Sequence, residues 1–553
     1  MDRRQFISGG VAASGSIASL LALTGKSHAQ ALSDFTSVSH RGGGSAPGGD
    51  YLQVDPQSPS FQSLIRGFNG RWSAPNARNV YIPLTEQGVL SAVAAVQAAG
   101  MGRNFKVRGG GHCYEDFVFN PQVQAIIDVS LLKTVGFDNS KGVYYAQAGA
   151  TNYDLQAGLI RYGKTLPGGS CWTVGLGGHV VGGGYGLLSR QYGLVVDWLT
   201  GVSLVHLRDG TPKAISVGSY SSGAEADLFW AHTGGGGGNF GVITRYEFAQ
   251  LPDAPSNAEI VNIAWNWSDI KNNGGSEYLT RIVRCFESLA SSLGNTAFVI
   301  LKLTHQDVKQ LQLVIQDVKV ASPGTLAQQV KTQLNLFNVS GIASTLFSVP
   351  GHPFQSNPVS EQQYTWWEAV YALSASGGPW NGKYKSAYMR MGFTDSDIKK
   401  IYQHLTQSMP VSMENSLIQV DSYGGQINKL SRNATAVWQR DSLFKLQYQT
   451  YWPILEDQNQ LLKYQNANLQ WIRDLYADVY AASGGIPDPN PITGSNPQVD
   501  GCYINYPDVD LNQFGLTKAL QLYYGGNLPR LIKTKQQWDP QNIFNHSQSI
   551  RAL

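Results

Sequence analysis

The chain is poor in charge. Asp, Glu, Lys and Arg make up 14% of its 553 residues, and the formal net charge is +3. Past the N-terminus there is no block of lysine or arginine, so the electrostatic footprint of a nucleic-acid or membrane-surface binder is missing. Cysteine is scarce: Cys113, Cys171, Cys285 and Cys502, with no CxxC pair. That excludes a disulfide scaffold and a CxxC-type zinc site, and leaves one or two disulfides open with no pairing indicated. GxxxxGK[ST], GxSxG and HExxH are all absent, which removes P-loop, serine-hydrolase-elbow and zincin chemistry; no metal site is expected. There is no internal repeat, and no apolar run long enough to span a bilayer.

What is abundant is glycine, 61 residues, alongside 42% hydrophobic and 11% aromatic residues. This is the composition of a folded protein with tight loops and a stacking-rich pocket, too long for one core. The first 29 residues stand apart. Arg3-Arg4 precede Phe6-Ile7, a weakly apolar Gly/Ala/Ser run and Ser27-His28-Ala29. This reads as a cleavable signal of the twin-arginine type, with an ordinary secretory signal as the alternative, and predicts export.

Thr85 is placed to cap a helix whose Val89, Leu90, Val93 and Val96 share a face and which ends at Gly100. Strands are expected at Phe105–Arg108, at 125–130 and 142–150, and in a hairpin turning at Asp209-Gly210. After residue 250, polar helices alternate with strands through Trp452, and 484–501 is a Pro/Gly/Asn-rich loop. The pattern is α+β, without the βαβ rhythm of a doubly wound sheet.

Three glycine clusters dominate: RGGGHCYED (108–116), GGSCWTVGLGGHVVGGGYG (168–186) and HTGGGGGNFGVITRYEF (232–248). Backbone N–H groups in such loops form concavities suited to a pyrophosphate. Gly236, Gly238 and Gly241 satisfy GxGxxG, but the next residues, VITRYEF, read as a strand where a nicotinamide fingerprint opens a helix. Taken singly, each cluster is equally well a set of tight turns between strands.

These clusters, together with CYINYPDVDL (502–511) and QWDPQNIFNHSQSI (537–550), resemble the berberine bridge enzyme-like FAD-linked oxidases of the vanillyl-alcohol-oxidase superfamily, nearest the bacterial oxidases of saccharides and secondary metabolites. The resemblance implies a PCMH-type FAD-binding domain of two α/β subdomains over 45–250. It implies a substrate domain over 251–483, an antiparallel sheet covered by helices, and a C-terminal segment over 500–553 returning to the flavin. It further implies FAD bonded twice, His112 to the 8α-methyl group and Cys171 to C6. Arg108, Gly109, Gly110, Gly111, Cys113 and Tyr114 would continue the cofactor wall. So would Val174, Gly175, Gly177, Gly178, His179, Gly182, Gly183, Gly184 and Gly186, and then Gly238, Asn239, Gly241, Val242, Tyr503 and Asn505. Flanking glycines let the backbone approach the ring closely.

By the same resemblance Tyr506 is the catalytic base, and Tyr423, in QVDSYGGQINK, assists or orients. On a strand, Tyr503 and Tyr506, three apart, would face opposite sides. LFKLQYQTYW (443–452) lacks the glutamate that plant relatives often use. Lys445 and Arg390 are the two cations considered as stabilisers of a tyrosinate. Val174, three residues past Cys171, is the residue with which relatives react well with O2. The expected partners are a small-molecule substrate and O2, with Trp366, Trp367, Trp380 and Tyr384 as candidates to stack on its rings; no preference for an oligomeric state is indicated. The expected activity is oxidation of an alcohol or hemiacetal carbon of a saccharide or glycosylated metabolite with release of H2O2. Alternatives are a dehydrogenase using a cytochrome or quinone, an oxidative cyclase of a secondary metabolite, and a flavin-loaded binding protein.

Overall fold

The computed structural model describes residues 50–319, 324–343, 362–374, 378–492 and 494–552. The twin-arginine segment lies outside the described residues. Three sheets organise the chain. The first holds β1 (Tyr51–Val54), β2 (Asn79–Pro83), β3 (Phe105–Arg108) and β4 (Ala125–Asp128) in the order β1-β2-β4-β3. Its β2–β4 and β3–β4 pairs are parallel, and β1–β2 is antiparallel. The second is antiparallel throughout: β5 (Val135–Asp138), β6 (Val143–Gln147), β7 (Gly201–His206), β8 (Lys213–Gly218) and β9 (Val242–Phe248), ordered β5-β6-β9-β7-β8. The helix Glu86–Ala98 lies between these two sheets. Thr85 caps it through the Gly88 amide at 2.9 Å, and Val89, Val93 and Val96 form its fully buried stripe. The hairpin turns at Gly210 as its sequence predicts, with φ of 77°.

The third sheet has eight strands: β10 (Asn257–Asn266), β11 (Ala297–Thr304), β12 (Gln310–Asp317), β13 (Ile342–Ala343), β14 (Gln362–Thr365), β15 (Asn381–Met389), β16 (Ser416–Ser422) and β17 (Phe444–Trp452). Its order is β13-β10-β12-β11-β16-β17-β15, with β14 also on β10, all antiparallel. One face is aliphatic: Leu446, Val420, Leu301 and Leu313 are all buried, each worth roughly 1.5–3 kcal/mol on burial. It is covered by long helices such as Ser276–Ser292, whose Leu279, Ile282, Phe286 and Leu289 recur at helical spacing, and Gln458–Val479. The opposite face is polar although equally buried. Cross-strand register lines up Gln447, Gln419, Lys302 and Gln312, and next to them Lys445, Asp421 and Ile300.

The C-terminal segment folds back onto the first half of the chain. Helix Leu528–Trp538 packs on helix Gly223–Ala231. From it the buried Lys535 donates to the Asn239 and Phe544 carbonyls at 2.5 and 2.6 Å and pairs with Asp539 at 2.6 Å. This fastens the chain end to the third glycine cluster. No disulfide joins Cys113, Cys171, Cys285 and Cys502.

Candidate active site

A cavity of about 290 Å³ lies between the glycine loops and the polar face of the third sheet. The loop after β3 turns at Gly111, whose φ of 74° favours glycine, and presents His112. The second loop presents Cys171. The two loops touch backbone to backbone: a Cβ on Gly110 would stand 2.4 Å from the Gly175 nitrogen, and one on Gly175 would stand 2.2 Å from the Gly110 nitrogen. Only glycine at both positions allows this, and it brings His112 and Cys171 to one cavity. The Nε2 of His112 lies 2.7 Å from the Thr173 hydroxyl, and its ring stacks on Phe68 at 4.9 Å. Burial and the nearby Arg108 hold the imidazole pKa down at about 4, so the ring is neutral and keeps a lone pair. Burial pushes the Cys171 thiol up to about 11, against the pull of Lys302.

Most of the expected residues line this cavity. Arg108, Gly109, Gly110, Gly111, His112, Cys113 and Tyr114 do so, as do Cys171, Val174, Gly175, Gly177, Gly178, His179 and Gly186. Gly238, Gly241, Tyr503, Asn505 and Tyr506 complete that set. Six others lie one layer behind the wall. Gly182 backs onto Asn505, and Gly184 onto Val195, with Gly183 beside them in the same turn. Val242 is buried at the start of β9. Asn239 holds the chain end, its Oδ1 accepting from the Ile550 amide at 2.9 Å. Tyr423 donates to the Gln439 carbonyl at 3.1 Å, its ring 5.4 Å from that of Tyr185, so Tyr185 stands between it and the cavity. Tyr384 and Trp366 are buried rather than offered to a ligand.

Tyr503 and Tyr506 share the site after all. Their segment is a turn, not a strand: the Tyr506 amide donates to the Tyr503 carbonyl at 2.9 Å, and the rings meet edge to face at 5.0 Å. Strand alternation therefore does not separate them. Just beyond, the carboxylate of Asp508 accepts from Lys383 and Lys385 of β15 at 2.6 and 2.7 Å, and Lys383 also reaches Glu115 at 2.5 Å. This buried ionic cluster ties the Tyr506 turn, the His112 loop and the third sheet to one another; such clusters fix geometry more than they add stability.

Lys445, on β17, projects from the sheet onto Tyr506 and donates to its hydroxyl at 3.0 Å. Its ammonium also lies 4.2 Å from the Tyr506 ring centroid and 4.4 Å from that of Tyr185. Asp421, its cross-strand partner, faces it at 3.2 Å and accepts from Gln419 at 2.8 Å. Arg390 is instead engaged by Asp441 and Asp500. Burial drives the Tyr506 pKa well above 10 and the Lys445 pKa below its usual value, the latter opposed by Asp421. A phenolate on Tyr506 is stabilised only while Lys445 keeps its charge.

Tyr185, Lys302, Gln419, Asp421 and His546 line the cavity too, unanticipated from the sequence. Tyr185 sits inside the second glycine cluster and His546 inside the C-terminal motif, while Asp421 is two residues before Tyr423. The usable signal was polar residues at every second position of strands otherwise aliphatic, as at 419/421 and 445/447/449.

The walls fit a flavin dinucleotide. No atom lies within 4 Å of a Cβ built on Gly178, and for Gly109 the nearest is 3.9 Å away, so bare backbone faces the cavity. The Nδ1 of His546 accepts from the Gln548 amide at 3.2 Å, so in the neutral ring Nε2 carries the proton. That Nε2 is buried beside the Gly237 backbone at the cavity wall. His112 and Cys171 complete a nucleophilic pair at the same surface.

Fold and site together define a flavin-dependent oxidoreductase. Residues 77–216 match the FAD binding domain family, and 502–551 the "berberine and berberine like" family. The chain is 39% identical over 523 residues to the hexose oxidase of Chondrus crispus, covering 90% of this chain and 94% of that one. It is 34% identical over 577 residues to the aclacinomycin-N/aclacinomycin-A oxidase of Streptomyces galilaeus, covering 99% and 98%. The crystal structure of a glycopeptide hexose oxidase complexed with teicoplanin superposes with a TM-score of 0.77 at 31% identity, covering 91% of this chain and 99% of that one. The chain belongs to the berberine bridge enzyme-like FAD-linked oxidases.

Proposed function

We propose that this enzyme oxidises an alcohol or hemiacetal carbon of a saccharide or glycosylated metabolite, with Tyr506 as the base. The observation that carries this reading is the Tyr506 hydroxyl on the cavity, held 3.0 Å from a lysine that is itself clamped by Asp421. The names of the relatives, oxidases of hexoses and of a glycosylated compound, support the substrate class. Tyr506 takes the hydroxyl proton while Lys445 holds the developing phenolate by charge and hydrogen bond, and Tyr185 and Tyr503 crowd water away from it. Bound FAD would supply the hydride acceptor, with O2 as the final oxidant and H2O2 as its product. His112 and Cys171 would hold it covalently at the 8α-methyl and C6 positions. A lone pair on a neutral imidazole suits the first bond and a thiolate the second; each bond would replace a C–H hydrogen, with two electrons per bond removed by O2. Val174, on the cavity wall, stands on the side of oxidase behaviour. Tyr423 acts through Tyr185 rather than on substrate. The N-terminal signal would export the folded, flavin-loaded protein.

The test combines chemistry and colour. Acid-precipitated protein should remain yellow, lose one of its two attachments in Cys171→Ala, and release peroxide when given aldohexoses or glycosides in air. A colourless pellet sinks the double tether. Turnover that demands a cytochrome or quinone replaces the oxidase with a dehydrogenase.

A further inference from the structure

We propose that Lys302 is the base that ionises Cys171 for its bond to the flavin, a duty of the polar sheet separate from the one Lys445 performs at Tyr506. The proposal rests on the double-tether reading above. Lys302 is a titratable group on the cavity that the oxidation leaves unused. It stands on β11, where Phe298, Ile300 and Lys302, each two residues on from the last, all line the cavity. Cross-strand register sets it between Gln419 and Gln312. The residue is 1% exposed, and lysine is almost never so deeply buried unless another group engages its ammonium. Two groups act on it there, Asp421 and Cys171. Asp421 is committed elsewhere, to Lys445 at 3.2 Å and to Gln419 at 2.8 Å. Cys171 is the group that the placement of Lys302 serves.

Cys171 reaches the cavity from the opposite wall. Its carbonyl is fixed by the Asn152 side-chain amide at 3.0 Å and by the Val174 amide at 3.3 Å. The other titratable groups around the thiol do not take its proton. Tyr114, Tyr384, Tyr451 and Tyr506 are phenols that burial keeps well above 10, so at neutral pH they hold their own protons. His112 and His179 line the cavity too, but burial holds both at about 4. The Gly169 amide moreover already donates to His179 Nε2 at 2.8 Å. Burial brings Lys302 down to about 7, with Asp421 and Cys171 opposing the fall. Near neutral pH a good share of this amine is therefore unprotonated, and it is a stronger base than either imidazole. The thiol proton passes from Sγ to Nζ, leaving a thiolate and an ammonium whose attraction the dry cavity strengthens. The Sγ–C6 bond then replaces the C6–H bond. O2 takes up the two electrons and, with the proton from Nζ and the one from C6, leaves as H2O2.

The experiment reads attachment by mass spectrometry of FAD-bearing peptides from acid-precipitated protein, so it needs no turnover. Wild type should carry FAD on both His112 and Cys171. Lys302→Met, or Lys302→Gln should the methionine variant not fold, should keep the His112 bond, which reports an intact cavity. It should form the Cys171 bond about 10²-fold more slowly in air at neutral pH. Strongly alkaline buffer should restore that bond, because hydroxide then supplies the thiolate. Lys302→Arg, always charged and so unable to accept a proton, should stay as slow as Lys302→Met. Complete Cys171 attachment at neutral pH in either variant overturns the proposal and leaves the double tether standing. Wild type with no FAD on Cys171 sinks the tether, and the exposed thiol is then titrated with iodoacetamide. A midpoint about one pH unit or more higher in Lys302→Met upholds Lys302 as its base, and an unchanged midpoint overturns it.

Discussion

The two walls of the cavity are built differently. The wall carrying His112 and Cys171 is made of backbone: Gly109 and Gly178 leave it bare, and Gly110 and Gly175 lock its two loops together. The wall carrying Lys445, Asp421, Gln419 and Lys302 is made of side chains, set by strand register on a sheet that is polar on this face and aliphatic on the other. A cofactor shared across a large family is met by shape. The proposed proton transfer would need charge at particular atoms, and the charged side chains of Lys445, Asp421 and Lys302 reside on the side-chain wall.

The largest effects should come from that side-chain wall. Tyr506→Phe is expected to slow flavin reduction by about 10²–10⁴-fold with flavin content unchanged, measured by anaerobic stopped flow. Lys445→Met should cost less, about 10–100-fold. Without the cation the Tyr506 phenolate forms only at higher pH, so the alkaline-rising limb of kcat must move upward. A limb that stays in place would show that Tyr506 does not depend on Lys445.

The backbone wall should answer in stability and cofactor content rather than rate. Gly175→Ala places a Cβ 2.2 Å from a backbone nitrogen and should destabilise by on the order of 3 kcal/mol. Gly178→Ala meets no protein atom within 4 Å, so it should keep the melting temperature and lower only the flavin-to-protein ratio. If the two variants behave alike, the distinction between locking and cradling glycines is wrong.

The last effect is nil at neutral pH and appears only in acid. Burial holds His232 at about 4 and His546 at about 3. Above about pH 6.5 these rings are neutral folded or unfolded and contribute nothing. Below it the unfolded chain takes up protons that the folded one refuses. Each should therefore remove about 1.4 kcal/mol per pH unit as pH falls from about 6.5 toward 4. His232→Gln should flatten the fall of the melting temperature over that window, and an unchanged slope would show that His232 is not held neutral.

The backbone wall was legible because glycine declares itself: three clusters, a histidine and a cysteine in fixed order need no register to be recognised, and the helix capped by Thr85 and the Asp209-Gly210 hairpin obey local rules. The expected opposition of Tyr503 and Tyr506 failed because a turn replaced the strand. Tyr423 was placed at the site on its motif, yet one ring, Tyr185, stands in front of it. Lys445 could not be chosen over Arg390, since only the pairing of β16 with β17 puts Asp421 across from it and Tyr506 above it.

By itself the sequence determined the α+β character and the family, both carried by local composition and motif order. Which lysine touches the tyrosine, and which glycines clamp and which stand open, were decided by the tertiary structure. The reason is physical: these depend on contacts between segments up to several hundred residues apart, whose register is fixed only when the buried faces of the sheets come together.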